Sequence, residues 1–365
     1  MGKTSKNISQ LRLPLLWGLL HGINDWVAGF MLATFALHGN LNDTLPMLII
    51  YAILGFGGQL PVGMWLDSSR SFGAFTKASL SLLLLSVVAW AINPIAGIVV
   101  AGLSSSFVHV TGGAICLESG NNKVGPLGLF TAPGVLGLAL GSASSSLQPF
   151  WLLLPVAAVL VIGCFLLQSK ASIVFQLPQL SKPLLDHHDW IMLAILLTVS
   201  VRSLVYDIIQ QVSYHWQQGL LIIGISAFLG KIIGGFLADR MGWKTWVYIT
   251  LPLAFVLLQF GRDNIYMLGF GIACLQSSVP ISLLLMRQSM PLYPGVSSAI
   301  VLGVGIAVAG LPMYVLNHRY FIQGWFGLAG ISVSALIMVV VFFVLMRTRF
   351  RQKPASNFTA ISLKG

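Results

Sequence analysis

A few ionisable and amide side chains stand inside otherwise apolar stretches of the sequence, and their spacing limits the chemistry open to them. His21 and Asp25 are four residues apart, on one face of a helix, with Asn24 adjoining. An imidazole beside a carboxylate can take up and release a proton, so Asp25 and His21 form a candidate proton site. Arg202 offers a planar guanidinium suited to an anion. Asn24, His109, Arg202, Tyr206, Gln276 and Ser277 are candidate contacts for a small polar ligand. A static Asp25–Arg202 ion pair is the competing reading for those two residues. A helix-packing hydrogen bond competes for His109.

Other chemistries find no support. There is no His-Glu-x-x-His, no Cys pair and no strand-turn-helix serine motif, so neither an enzyme, a metal site nor a cofactor is expected. Cys116, Cys164 and Cys274 lie in or near apolar runs without ligand spacing. Gly224 to Lys231 superficially resembles a phosphate loop, but the spacing is one residue too long and Ile232 stands where Ser or Thr is needed.

The elements that must position these residues are membrane helices. The chain of 365 residues is 56% hydrophobic and 8% charged, against about 25% charged for a soluble domain. Its apolar residues form blocks of the roughly 20 residues that cross a hydrocarbon core. The period-2 alternation of a membrane β-barrel is missing. Twelve segments can be drawn, at about 13–37, 45–66, 72–92, 94–118, 124–145, 148–168, 190–214, 219–239, 243–261, 265–287, 291–316 and 322–346. The first is read as a retained span, because its run is long and lacks a small-residue cleavage site.

The longest connection, 169–189, carries Lys170, Lys182, Asp186, His187 and His188 and divides the segments six and six. The expected organisation is a six-helix bundle over 1–168, a cytoplasmic linker over 169–189, a second bundle over 190–346 and a basic cytoplasmic tail over 347–365. With the N-terminus inside, all of the 20 Lys and Arg except Arg262, Arg319, Arg202 and Lys231 fall on the cytoplasmic side. That bias follows the positive-inside rule and puts both termini in the cytoplasm. The net charge of +11 is thereby assigned to orientation and anionic lipid, and no nucleic-acid partner is expected.

The segments also repeat weakly. The second ends Gly63-Met64-Trp65-Leu66-Asp67-Ser68-Ser69-Arg70, and the eighth ends Gly235-Phe236-Leu237-Ala238-Asp239-Arg240-Met241-Gly242-Trp243-Lys244. Both read Gly-x-x-x-Asp with basic residues following. Each Asp is placed to cap a neighbouring helix N-terminus. The second copy resembles the loop signature of the major facilitator superfamily. Further stretches resemble the fosmidomycin-resistance branch of that superfamily: His21-Gly22-Ile23-Asn24-Asp25, Gly102 to His109, Glu118-Ser119-Gly120, Gly134 to Gly141 and Gly295 to Gly303. The chain departs from the branch at Val110-Thr111, where Pro-Glu is usual, and at Ala132-Pro133-Gly134, where paired glycines are usual. The substrate is therefore not carried over.

The resemblance implies an all-α membrane protein of twelve transmembrane helices in two six-helix halves, with helices one, four, seven and ten lining a central cavity. It also implies a bias to export. With Asp25 and His21 as the proton site, the expectation is a proton-coupled secondary transporter of a small-molecule substrate, a monomer in a bacterial cytoplasmic (inner) membrane. Import of an organic anion or nutrient through Arg202, and a non-transporting receptor or partner protein, are the alternatives. Gly63, Asp67, Arg70, Gly235, Asp239, Arg240, Lys244, Pro133 and Gly134 are the candidate conformational residues, Pro133 through a bend in its helix. Lys231 is expected to snorkel to the cytoplasmic surface, Asp207 to face an outer vestibule or pair with Lys231, and Glu118 to be a surface charge near Lys123.

Overall fold

The computed structural model describes residues 2–315 apart from 148, 169–186, 214, 215, 217 and 262. The expected linker up to 186, the twelfth segment and the basic tail lie outside the described residues. The rest is helical. The helices are α1 (Gly2–His38), α2 (Leu41–Ala52), α3 (Gln59–Ser69), α4 (Phe72–Ile92), α5 (Pro94–Ser119), α6 (Val124–Ala143) and α7 (Leu153–Gln168), then α8 (His187–Ser213), α9 (Gly219–Met241), α10 (Trp243–Phe260), α11 (Ile265–Gln276), α12 (Val279–Ser289), α13 (Pro294–Ala299) and α14 (Gly305–Val315). They join into eleven rods, because α2–α3, α11–α12 and α13–α14 each continue one another. Eight helical stretches among the described residues are long and apolar enough to cross a membrane. The chain is a multi-pass membrane protein.

Local sequence explains where the rods start and break. Asn93 accepts from the amides of Ile95 and Ala96 and stands before Pro94, whose missing N–H costs nothing at a helix start. Asn264 and Asn40 cap α11 and α2 in the same way. The expected tenth segment is not continuous. Ser277 and Ser278 donate their hydroxyls to the carbonyls of Cys274 and Leu275, and Pro280 has no amide to continue the ladder, so the rod is re-formed at Val279. The second and eleventh rods each contain a π-turn, Ile53–Gly57 and Ile300–Val304. The two turns adjoin: a Cβ on Gly303 would stand 2.5 Å from the Phe56 carbonyl. Gln59 spans them, donating to the carbonyls of Gly55 and Leu302.

Glycines set how close the rods lie. A Cβ on Gly137 of α6 would fall 2.0 Å from the Gly22 carbonyl of α1, so these two backbones touch directly. One on Gly128 would fall 2.6 Å from the Lys231 carbonyl of α9. The α6 helix is thus pressed between α1 and α9, and it brings groups from early and late in the chain together.

The end of the bundle where α1 begins is closed by side chains that cross between early and late rods. The Asp67 carboxylate accepts from the amides of Gly295 and Val296, both at 2.8 Å. The Asp239 carboxylate accepts from the amides of Val124 and Gly125, at 2.7 and 2.8 Å. Each carboxylate therefore takes two free amides at the start of a rod, where the helix dipole is positive. Arg70 donates to the Leu292 carbonyl at 2.8 Å. Glu118 is not a surface charge beside Lys123: its carboxylate, 10% exposed, pairs with Arg287 at 2.6 Å. Arg240 and Lys244 are exposed at this same end, Lys244 over the Trp243 ring.

Candidate functional site

On α1, His21 and Asp25 face α5 and α6. Asp25 Oδ2 lies 3.2 Å from His21 Nε2 and 3.8 Å from His109 Nε2. The two imidazoles meet edge to face, with ring centroids 4.2 Å apart. Each has its other nitrogen fixed. His21 Nδ1 lies 2.9 Å from the Phe130 carbonyl, and His109 Nδ1 lies 2.7 Å from the Ser105 carbonyl. A carbonyl only accepts, so both Nδ1 atoms carry hydrogen and both Nε2 atoms, when neutral, present lone pairs. Asp25 is oriented from behind. Asn24 donates to its Oδ1 at 3.0 Å, and Ser104 donates to the Asn24 side-chain oxygen at 3.0 Å.

Gly134 of α6 makes room for this cluster. A Cβ there would lie 2.3 Å from His21 Nε2 and 2.7 Å from Asp25 Oδ2. Pro133, beside it, packs on Gly22 of α1.

The cluster opens onto a cavity of about 210 Å³ whose other wall carries Arg202, Tyr206, Asp207, Lys231 and Gln276. Arg202, 3% exposed, donates one guanidinium hydrogen to Ser282 Oγ at 3.3 Å. Lys231 does not snorkel to the surface. It is 7% exposed and reaches from α9 to the Thr131 carbonyl on α6, at 3.2 Å. Among the described residues, neither cation has a carboxylate within 4.0 Å, so Asp25 and Arg202 are not a static pair and Asp207 does not bridge to Lys231. Tyr206 accepts from Gln210 at 3.2 Å.

Two expected ligand contacts sit elsewhere. Ser277 is 1% exposed; its hydroxyl is used by the Cys274 carbonyl and by the Trp246 indole, which donates to it at 3.1 Å. Asn24 is 2% exposed and holds Asp25 without lining the cavity. The gap between Gln276 and the α1 cluster is bounded also by Tyr51 of α2, Val135 of α6 and Val301 of the eleventh rod. The cavity walls thus come from the first, second, fourth, fifth, seventh, eighth, tenth and eleventh rods. Along these rods the lining residues lie from mid-length towards the end opposite the Asp67 and Asp239 contacts.

No family model matches the sequence, and no curated protein does. Solved structures do. The chain is similar to FucP, a major facilitator superfamily transporter in an outward conformation, over 93% of this chain and 98% of that one, with a TM-score of 0.65 at 16% identity. The chain has the major facilitator fold. It is also similar to the human organic anion transporter MFSD10 (TM-score 0.61, 17% identity, 94% of this chain and 100% of that one). A bacterial homologue of the iron transporter ferroportin, in an outward-facing state, matches with a TM-score of 0.61 at 16% identity, over 93% and 98% of the two chains. The polar cluster and the two cations therefore occupy the middle of a major facilitator bundle, where facing rods from early and late in the chain bound the cavity.

Lys231, Glu118, Asn24 and Ser277 are what sequence reasoning placed wrongly, whereas Asp207 lines the cavity. The signal for Lys231 was available in part, since it is an ionisable residue deep in an apolar segment. For the Glu118–Arg287 ion pair there was none, because it joins residues of two rods far apart in sequence.

Proposed function

We propose that the protein is a secondary active transporter of a small solute, working by alternating access between two six-helix halves, 1–168 and 190–346, joined by a cytoplasmic linker. The single observation that carries this reading is the cavity closed at one end, with His21, Asp25 and His109 on one wall and Arg202 and Lys231 on the other. Ionisable groups at mid-depth are costly in a membrane protein and serve transport where they face a cavity. Two buried cations without a carboxylate partner among the described residues favour a solute bearing an anionic group. Asp25, steadied by Asn24 and adjoining His21, is the coupling proton site, and proton antiport drives the solute outwards. The protein acts as a monomer in the inner membrane of a bacterium, with both termini cytoplasmic. Asp67, Asp239 and their basic neighbours hold one of the two arrangements of the halves.

The test uses fosmidomycin, an anionic phosphonate, as probe in a sensitive bacterium. Expression of the wild type is expected to confer resistance. Asp25→Asn at matched membrane abundance is expected to lose it. Full resistance in Asp25→Asn would remove Asp25 from the coupling role. A second reading, import of an organic anion held by Arg202, draws on the same two cations, and it requires wild-type expression to raise susceptibility instead.

A further inference from the structure

The His21–Asp25–His109 cluster has a property that a hydrogen-bonded group of side chains does not have. Three acceptor atoms point at one another with no donor between them. Both Nδ1 hydrogens are committed to main-chain carbonyls, of Phe130 and Ser105, so each neutral ring turns its Nε2 lone pair towards Asp25 Oδ2. The three atoms lie within 4.8 Å of one another. One proton can fill the 3.2 Å contact between His21 and Asp25, but His109 Nε2 still faces the same oxygen at 3.8 Å. No described residue donates to it.

The spacing fits a larger cation. Ligand atoms about 2.0–2.2 Å from a metal ion, at angles of about 100–120°, stand about 3.1–3.8 Å from one another. The two contacts to Asp25 Oδ2 fall in that range, and the two Nε2 atoms lie within 4.8 Å of each other. The surroundings also match what holds metal ligands in place: a histidine whose second nitrogen donates to a carbonyl, and a carboxylate whose second oxygen is hydrogen-bonded. Here the carbonyls of Phe130 and Ser105 serve the rings, and the Ser104–Asn24 chain serves Asp25. Gly134 supplies an independent sign, since its missing Cβ leaves open the space beside His21 Nε2 and Asp25 Oδ2.

We infer that His21 Nε2, His109 Nε2 and Asp25 Oδ2 form a binding site for a divalent first-row transition-metal ion such as Zn²⁺ or Co²⁺, where the sequence alone suggests no metal site. Two nitrogens and one oxygen select such ions over Mg²⁺ and Ca²⁺, which need oxygen-rich cages. The single formal negative charge, with Lys231 and Arg202 across the cavity, argues in the same direction. The remaining coordination positions face the cavity. The inference goes beyond the transport reading and does not depend on the solute or the direction of flux.

The test is equilibrium binding of Co²⁺ to the purified full chain in detergent, free of any polyhistidine tag, followed by visible absorption and by competition with Zn²⁺. One saturable equivalent is expected, displaced by Zn²⁺ and not by Mg²⁺. His109→Ala and His21→Ala are each expected to weaken it at least ~10-fold, since even outer partners of metal ligands carry about 10–100-fold. Gly134→Ala keeps all three ligands and is expected to weaken binding by intruding on the site, which guards against misfolding of the histidine variants. Wild type with no saturable equivalent, or binding unchanged in all three variants, would overturn the site. Because this reads binding without flux, a wild type that binds Co²⁺ but moves no solute would defeat the transport reading alone. Proton-driven flux without Co²⁺ binding would leave the cluster to protons and defeat only this inference.

Discussion

The Glu118 carboxylate of α5 lies 2.6 Å from the Arg287 guanidinium of α12, and both side chains are mostly buried. Removing one partner of a buried pair leaves the other charge desolvated and uncompensated, at a cost of about 3–5 kcal/mol when burial is complete. With the Arg287 side chain 18% and Glu118 10% exposed, part of that is expected. Arg287→Met should lower the thermal unfolding midpoint in detergent clearly more than Glu118→Gln with Arg287→Met together. Equal midpoints would mean the pair carries no net weight. At this scale the sequence was legible where a residue's type is out of place in its surroundings: His21, Asp25, His109 and Arg202 stand out in apolar runs and do line the cavity. It was not legible where the partner is tertiary. Nothing in the sequence around Lys231 reveals the Thr131 carbonyl waiting on α6. Nothing around Ser277 reveals that its hydroxyl is used by a helix carbonyl and an indole.

Among elements, the paired carboxylate contacts are the feature with most consequence. The second rod holds the start of α13 through Asp67, and α9 holds the start of α6 through Asp239. If these contacts favour the arrangement described, the double variant Asp67→Asn, Asp239→Asn should populate a state in which this end is open. Spin labels at the exposed positions Ser71 and Pro291 flank the Asp67 contact. Their distance distribution is expected to gain a longer component in the double variant. An unchanged distribution would assign the contacts to local capping alone. The Gly-x-x-x-Asp repeat was visible in sequence because it is a local pattern. The π-turns at Ile53–Gly57 and Ile300–Val304 were not, since a one-residue widening of a helix leaves apolar periodicity nearly intact.

For the whole molecule, eleven of the twelve expected rods lie among the described residues and the twelfth lies outside them. Many different sequences can supply apolar blocks of spanning length, and solved structures only 16–17% identical share the fold. Orientation rests on the Lys and Arg bias alone. In cells expressing a variant with Cys164, the exposed cysteine, replaced by Ser, a cysteine at the exposed Asn40 should react with a membrane-impermeant thiol reagent added outside. A cysteine at Ser71 should not. The reverse pattern would invert the topology.

The contacts of Asp67 and Asp239 also have a genetic consequence. Both accept from main-chain amides, so these donors are not encoded by any particular amino acid. Val124 and Val296 are buried, so there the codon can drift among apolar residues so long as it avoids proline, which has no amide to give. At Gly125 and Gly295 drift is stopped by lack of room, since a Cβ would meet the carboxylate at 3.0 Å. Heritable loss of either contact therefore arises at the acidic codon or at the glycine codon facing it. No charge-swapped partner can arise elsewhere to restore it, and recovery has to come by reversion or by rebalancing the two arrangements at a distance.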